Sequence, residues 1–174
     1  MRRLLIAAFA TLSLAAPVCA QNWKSPESLF AHVAGRWVLR GTIAGQPTTH
    51  DVDAAFVLNG EYIQLHEVSR EKDATGRPQY EAIVLFAVDT ITGAHAALWL
   101  DNTGTALFPP AGVGRGTPVG DSIPFIFHAS NGDVFHTTFV YSRRDDSWQW
   151  IMDGESGGKW TPFARVTLTK QPER

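Results

Sequence analysis

From about residue 36 onward, apolar side chains recur at every second position, the period of strands that bury one face. Residues 38–40 open this regime, and 53–58 and 61–69 continue it. Between the last two, Asn59–Gly60 is a strong two-residue hairpin signal. Such a turn sets Leu58 opposite Glu61, Phe56 opposite Ile63, Ala54 opposite Leu65 and Asp53 opposite His66. Phe56, Leu58, Ile63 and Leu65 then share one face, read as inward, while Asp53, Tyr62, Gln64 and His66 share the other. Residues 80–89 and 95–101 form another hairpin through Thr92–Gly93, and 105–108 read as a short strand. Residues 123–128 and 134–142 flank Asn131–Gly132, 148–153 follow a polar turn, and 160–169 end the series. Helical spacing occurs once. Ser25-Pro26-Glu27 fits a helix start, Leu29, Phe30 and Val33 share a face, and Gly35 ends about two turns.

Nine or ten strands joined by short turns, with one small helix, make an all-β protein. An antiparallel up-and-down barrel is expected, because closure hides the edge strands. Residues 29–170 form this single domain, 21–28 are a lead-in, and 171–174 are expected to be a disordered tail. Residues 1–20 have the layout of a secretory signal peptide: Arg2 and Arg3, an apolar run, then Val18-Cys19-Ala20. Cleavage is expected before Gln21, which places the mature protein in the periplasm or outside the cell. Cys19, the single cysteine, leaves with the leader, so stability must come from the core. A 44% apolar fraction and six tryptophans can supply one. The formal charge of −2, without a basic stripe, argues against nucleic acid, and no later apolar run is long enough for a spanning helix.

Gly35-Arg36-Trp37 follows the short helix, and Arg165 lies in the closing strand within Ala164-Arg165-Val166-Thr167. Between them stand Val57-Leu58-Asn59-Gly60-Glu61-Tyr62-Ile63, Phe86-Ala87-Val88-Asp89 with Thr92–Gly93, and Leu98-Trp99-Leu100-Asp101 before Gly104. In this order, over residues 29–169, these pieces resemble the lipocalin-like barrels of the calycin superfamily. More narrowly, they are similar to a bacterial family of secreted lipocalin-like domains of unknown function. The resemblance implies a basic side chain from near the C-terminus packed across the first-strand tryptophan, so Trp37 and Arg165 are expected to meet. Nitrobindin-type relatives bind haem through a histidine near the chain end. No histidine follows His136 here, and no cofactor is expected.

Alternation puts Ala164, Val166 and Leu168 on one face and Phe163, Arg165 and Thr167 on the other. If Arg165 points in, the lumen is partly polar; if it points out, the apolar face is the lumen; a bulge near Pro162 reconciles both. The resemblance favours inward, as an end plug rather than a ligand anchor. A two-residue Asn131–Gly132 turn pairs Phe127 with His136 and His128 with Phe135. The two imidazoles then lie on opposite faces, and no metal site is expected. Asp53 opposite His66 is the one pair that could orient a general base, but no nucleophile is placed beside it, so no catalytic residue is assigned. The Gly/Pro-rich residues 109–120, with Gly112, Gly114 and Gly116, read as a flap at the mouth and not as a phosphate loop. Strand 80–89 is apolar on both faces, which needs cover on both and suggests a homodimer. The expected function is binding of a small apolar or amphipathic ligand in the lumen by Trp37, Phe56, Ile63, Leu65, Trp99, Trp150 and Arg165. The alternative is a structural or assembly protein whose barrel is filled by its own side chains.

Overall fold

A computed structural model describes residues 28–103, 112–129 and 131–171. The expected leader, the start of the helix and the strand at 105–108 lie outside the described residues. Among the described residues, ten antiparallel strands close into a barrel in sequence order, with the first pairing the last. They are β1 (Gly35–Ile43), β2 (Gln46–Val57), β3 (Tyr62–Ser69), β4 (Glu81–Val88) and β5 (His95–Asp101). The second half comprises β6 (Val113–Gly116), β7 (Ser122–His128), β8 (Val134–Ser142), β9 (Ser147–Ser156) and β10 (Lys159–Lys170). Gln171 extends the last pairing by donating its N–H to the Arg36 carbonyl at 2.8 Å.

The first hairpin has the expected register. Phe56 pairs with Ile63, Ala54 with Leu65 and Asp53 with His66. Asn59 and Gly60 both have positive φ (58° and 82°), as the favoured two-residue turn requires. Ile63 and Leu65 are fully buried, but Phe56 is 37% and Leu58 70% exposed. The β1–β2 pairing ends at Gly35 and Ala54, so Phe56 and Leu58 lie on the part of the hairpin that extends beyond β1.

The Asn131–Gly132 hairpin differs from the expectation by one residue. Ile126 pairs with His136 and Phe127 with Phe135, and the Ala129 N–H bonds the Asp133 carbonyl across a three-residue loop. Gly132 has positive φ, but Asn131 does not, so the turn that needs both is not formed. The reason is the core. A two-residue turn would oppose buried Phe127 to an imidazole, whereas the longer loop lines up Phe125, Phe127, Thr137 and Phe139 inward. His128 and His136 consequently share the outer face, and His136 packs on the Trp160 ring at 4.5 Å.

Part of the glycine-rich segment is wall and not flap. Val113–Gly116 is β6, paired with β5 and β7. A Cβ on Gly114 would fall 2.5 Å from the Phe127 ring, and one on Gly116 only 1.5 Å from the Pro124 carbonyl oxygen. These glycines permit close approach rather than flexibility.

One end of the barrel is filled. A 3₁₀ turn, Leu29–Val33, ends at Ala34 and lies over it, shorter than the expected helix. Its terminal carbonyls, which have no helical partner, accept indole N–H groups: Trp37 Nε1 donates to the Val33 oxygen at 2.8 Å and Trp148 Nε1 to the His32 oxygen at 3.2 Å. Phe30 stacks on His95 at 4.8 Å and meets Phe86 at 5.2 Å. Phe86 joins Phe125 and Phe139 below, inside the core rather than on an exposed patch.

Trp37 and Arg165 do not meet. Trp37 pairs with Lys170 and Thr42 with Arg165, five rungs apart along the same ladder. It is Lys170 whose ammonium stands 5.4 Å from the Trp37 ring centroid while it pairs with Asp146 at 2.9 Å. Arg165 is on the outer surface, donating to the Met152 and Ala164 carbonyls and to Asp153 at 2.6 Å. A register shift between Pro162 and Ala164 marks the expected bulge.

Candidate functional site

Opposite the plugged end, the barrel holds a cavity of about 530 Å³. Its walls come from the late part of β1, β3, β5, β7 and β9, the early part of β2, β8 and β10, and the segment that leads into β4, which antiparallel order brings to one rim. The inward faces of β2 and β3 change character along their length. On β2 the inward series runs Thr48, His50, Val52, Ala54; on β3 it runs Ile63, Leu65, Glu67, Ser69. The apolar half of each belongs to the core, and the polar half lines the cavity.

His50 and Glu67 sit on diagonal positions of this pair, because Val52 is the residue directly opposite Glu67. His50 Nδ1 is hydrogen-bonded to Glu67 Oε1, and the two side chains are only 3% and 2% exposed. Thr48 Oγ1 lies 2.6 Å from His50 Nε2 and donates to Glu71 Oε2 at 3.1 Å, whose other oxygen accepts the Thr49 N–H at 3.0 Å. Burial pushes the Glu71 carboxyl up, but its own N–H, that of Thr49 and the Thr48 hydroxyl outweigh this and hold its pKa below the ordinary value.

Tyr80 completes the polar wall. Its ring stacks on His50 at 5.6 Å, and its oxygen accepts Trp99 Nε1–H at 3.0 Å. Burial, then the nearby Glu67 charge, raises the phenol's pKa far above normal, so it keeps its proton. Ile43, Phe127, Phe135, Met152 and Phe163 supply an apolar wall to the same space. Phe163 is the residue skipped by the β10 bulge, which turns it toward the mouth against Phe135 at 5.3 Å.

Of the residues expected to line the lumen, Trp99 does so. Trp37, Ile63, Leu65 and Trp150 lie buried in the core, Phe56 on the rim of the plugged end and Arg165 outside. Asp53 and His66 are in register but bond elsewhere, Asp53 to Arg36 at 3.2 Å and His66 to Glu81 at 2.7 Å. Among the described residues, no group of three or more His, Cys, Asp or Glu side chains could hold a metal. Sequence reasoning missed His50, Glu67 and Tyr80. The signal was present: continuing the inward parity of Ile63 and Leu65 reaches Glu67, and a carboxylate on a core-facing position is the informative anomaly. No family model matches the chain, and no curated protein matches it either.

Proposed function

We propose that this protein is a secreted, periplasmic lipocalin-like binding protein that holds a small amphipathic molecule in the open half of its barrel. The observation that carries this is the cavity itself, whose volume of about 530 Å³ falls in the usual range for small-molecule sites. An apolar wall faces a few buried polar groups, the arrangement that takes up a ligand's body and orients its head. A filled barrel would leave no such space. Here the fill stops at the aromatic layer of Phe86, Phe125, Phe139 and Trp150. The test is a titration with an apolar reporter dye, read by Trp99 emission. Saturable quenching is expected, and Met152→Trp, which fills the cavity, should abolish it in a protein that still melts cooperatively. Absence of binding by any apolar probe would return the choice to the filled-barrel reading. Self-association belongs to the same proposal. The outer face of β4 and β5 carries Ile83, Leu85, Leu98 and Leu100, and light scattering at micromolar concentration is expected to report a dimer.

One observation favours a second reading. Thr48, His50 and Glu67 stand in hydroxyl–imidazole–carboxylate order, the arrangement that activates a nucleophile. Against it, Glu71 accepts the same hydroxyl, and its charge opposes an oxyanion forming there. Turnover of an activated ester that disappears in His50→Gln would favour this second reading.

A further inference from the structure

We infer that the ligand's head is a protonated amine received by Glu67, and that the cavity rejects fatty acids. This inference rests on the cavity-binding reading and adds the charge of what is bound.

A count of protons gives the first argument. Glu67, His50, Thr48 and Glu71 form a line joined by three hydrogen bonds. Each bond needs one proton between its two heavy atoms. The Thr48 hydroxyl supplies one and a neutral imidazole a second, so the third is an added proton. Two carboxylates and one added proton leave the line with a single negative charge, whichever atoms hold the protons. Asp101 on the same wall, accepting the Thr103 N–H and hydroxyl, is a further carboxylate. Among the described lining residues there is no lysine or arginine. The polar end of the cavity is therefore negative.

The second argument is an unmatched acceptor. Glu67 spends Oε1 on His50, while Oε2, buried with the rest of the side chain, has no hydrogen-bond partner. A buried carboxylate oxygen without a donor is costly, and a cationic donor is the group that repays most of that cost. A ligand carboxylate would set lone pairs against lone pairs and charge against like charge. The Thr137 hydroxyl, also buried in the cavity wall and unpartnered, is a second polar group there and can accept from an ammonium, although as a hydroxyl it can also donate. The rings of Tyr80, Trp99 and Phe127 add π faces that attract a cation.

The test compares three ligands with the same ten-carbon chain on the full-length protein: decylammonium, decanol and decanoate, titrated by calorimetry at neutral pH. Decylammonium should bind at least about tenfold more tightly than either of the others, the effect of one charge-assisted hydrogen bond. Glu67→Gln should lower decylammonium affinity about tenfold and leave decanol within about twofold. Because Glu67→Gln alters a buried pair and can impair folding, Glu71→Gln at the mouth is the second variant, checked by its melting curve. It should reduce the preference for decylammonium over decanol by several-fold. Decanoate or decanol binding as tightly as decylammonium would overturn the assignment of charge and leave the cavity reading standing. Failure of all three to bind would overturn both.

Discussion

Lys170 and Arg165 show how strand register decides between two similar side chains. Both are cations near the chain end, but only Lys170 reaches the Trp37 ring. A half-exposed ammonium over an indole contributes about 0.5–1 kcal/mol, so Lys170→Ala should lower Tm by roughly 1–4 °C. It should also alter tryptophan emission, while Arg165→Ala leaves that emission unchanged; the reverse result would place the contact wrongly. The His50–Glu67 pair gives a sharper contrast. His50→Leu strands a buried carboxylate and should cost about 3–5 kcal/mol in denaturant unfolding. Replacing both partners, His50→Leu with Glu67→Met, should recover most of that loss, because no uncompensated charge is left.

Among the elements, β6 is the short rung of the barrel, four residues held to β7 by one paired position. Its glycines set how closely the neighbouring strands can approach. Gly114→Ala meets an aromatic ring that can tilt, whereas Gly116→Ala meets the Pro124 backbone. Both should destabilise, Gly114→Ala by about 1–3 kcal/mol and Gly116→Ala by more, with amide exchange in β5–β7 accelerated first. The 3₁₀ turn carries a pH dependence. Burial against Phe30 holds the His95 imidazole below its ordinary 6.5, against the opposing pull of the Gly93 carbonyl. Burial, then Arg143, does the same to His32. The unfolded chain therefore binds more protons, and stability falls as pH drops from about 6.5 toward the depressed folded values. Melting curves at pH 7.5 and 5.5 should show this loss. His95→Phe, which keeps the stacked ring, should reduce it.

In the whole molecule, the barrel is divided across its axis. Aromatic side chains fill one half under the 3₁₀ turn, and the other half stays open around a polar wall. On the proposed reading, stability and ligand uptake therefore reside in different halves. Substitutions at Phe125 or Trp148 should change Tm strongly; they should change ligand affinity little in any variant that still folds. Met152→Trp should do the opposite. Measuring both quantities on both sets of variants checks the division, and a set that moves the two together would contradict it.

Alternation and turn chemistry by themselves determined the all-β class, the up-and-down order and the first hairpin's register. Each follows from contacts local in sequence: side chains two residues apart share a face, and Asn59–Gly60 can adopt positive φ at both positions. Tertiary structure decided the rest. The loop at Asn131–Gly132 took one residue more than its turn motif suggests, because the rings on β7 and β8 had to face a common core. The glycines at 114 and 116 became a strand, because only the neighbouring ring and backbone explain why a side chain is missing. The cavity's polar wall depends on β2 beginning at Gln46, which carries His50 across from β3, and on Tyr80, just before β4, stacking on His50. No spacing along the chain encodes that meeting. Glu67 could be read as an inward carboxylate from its own strand, but its partner and its unmatched oxygen exist only once the barrel has closed.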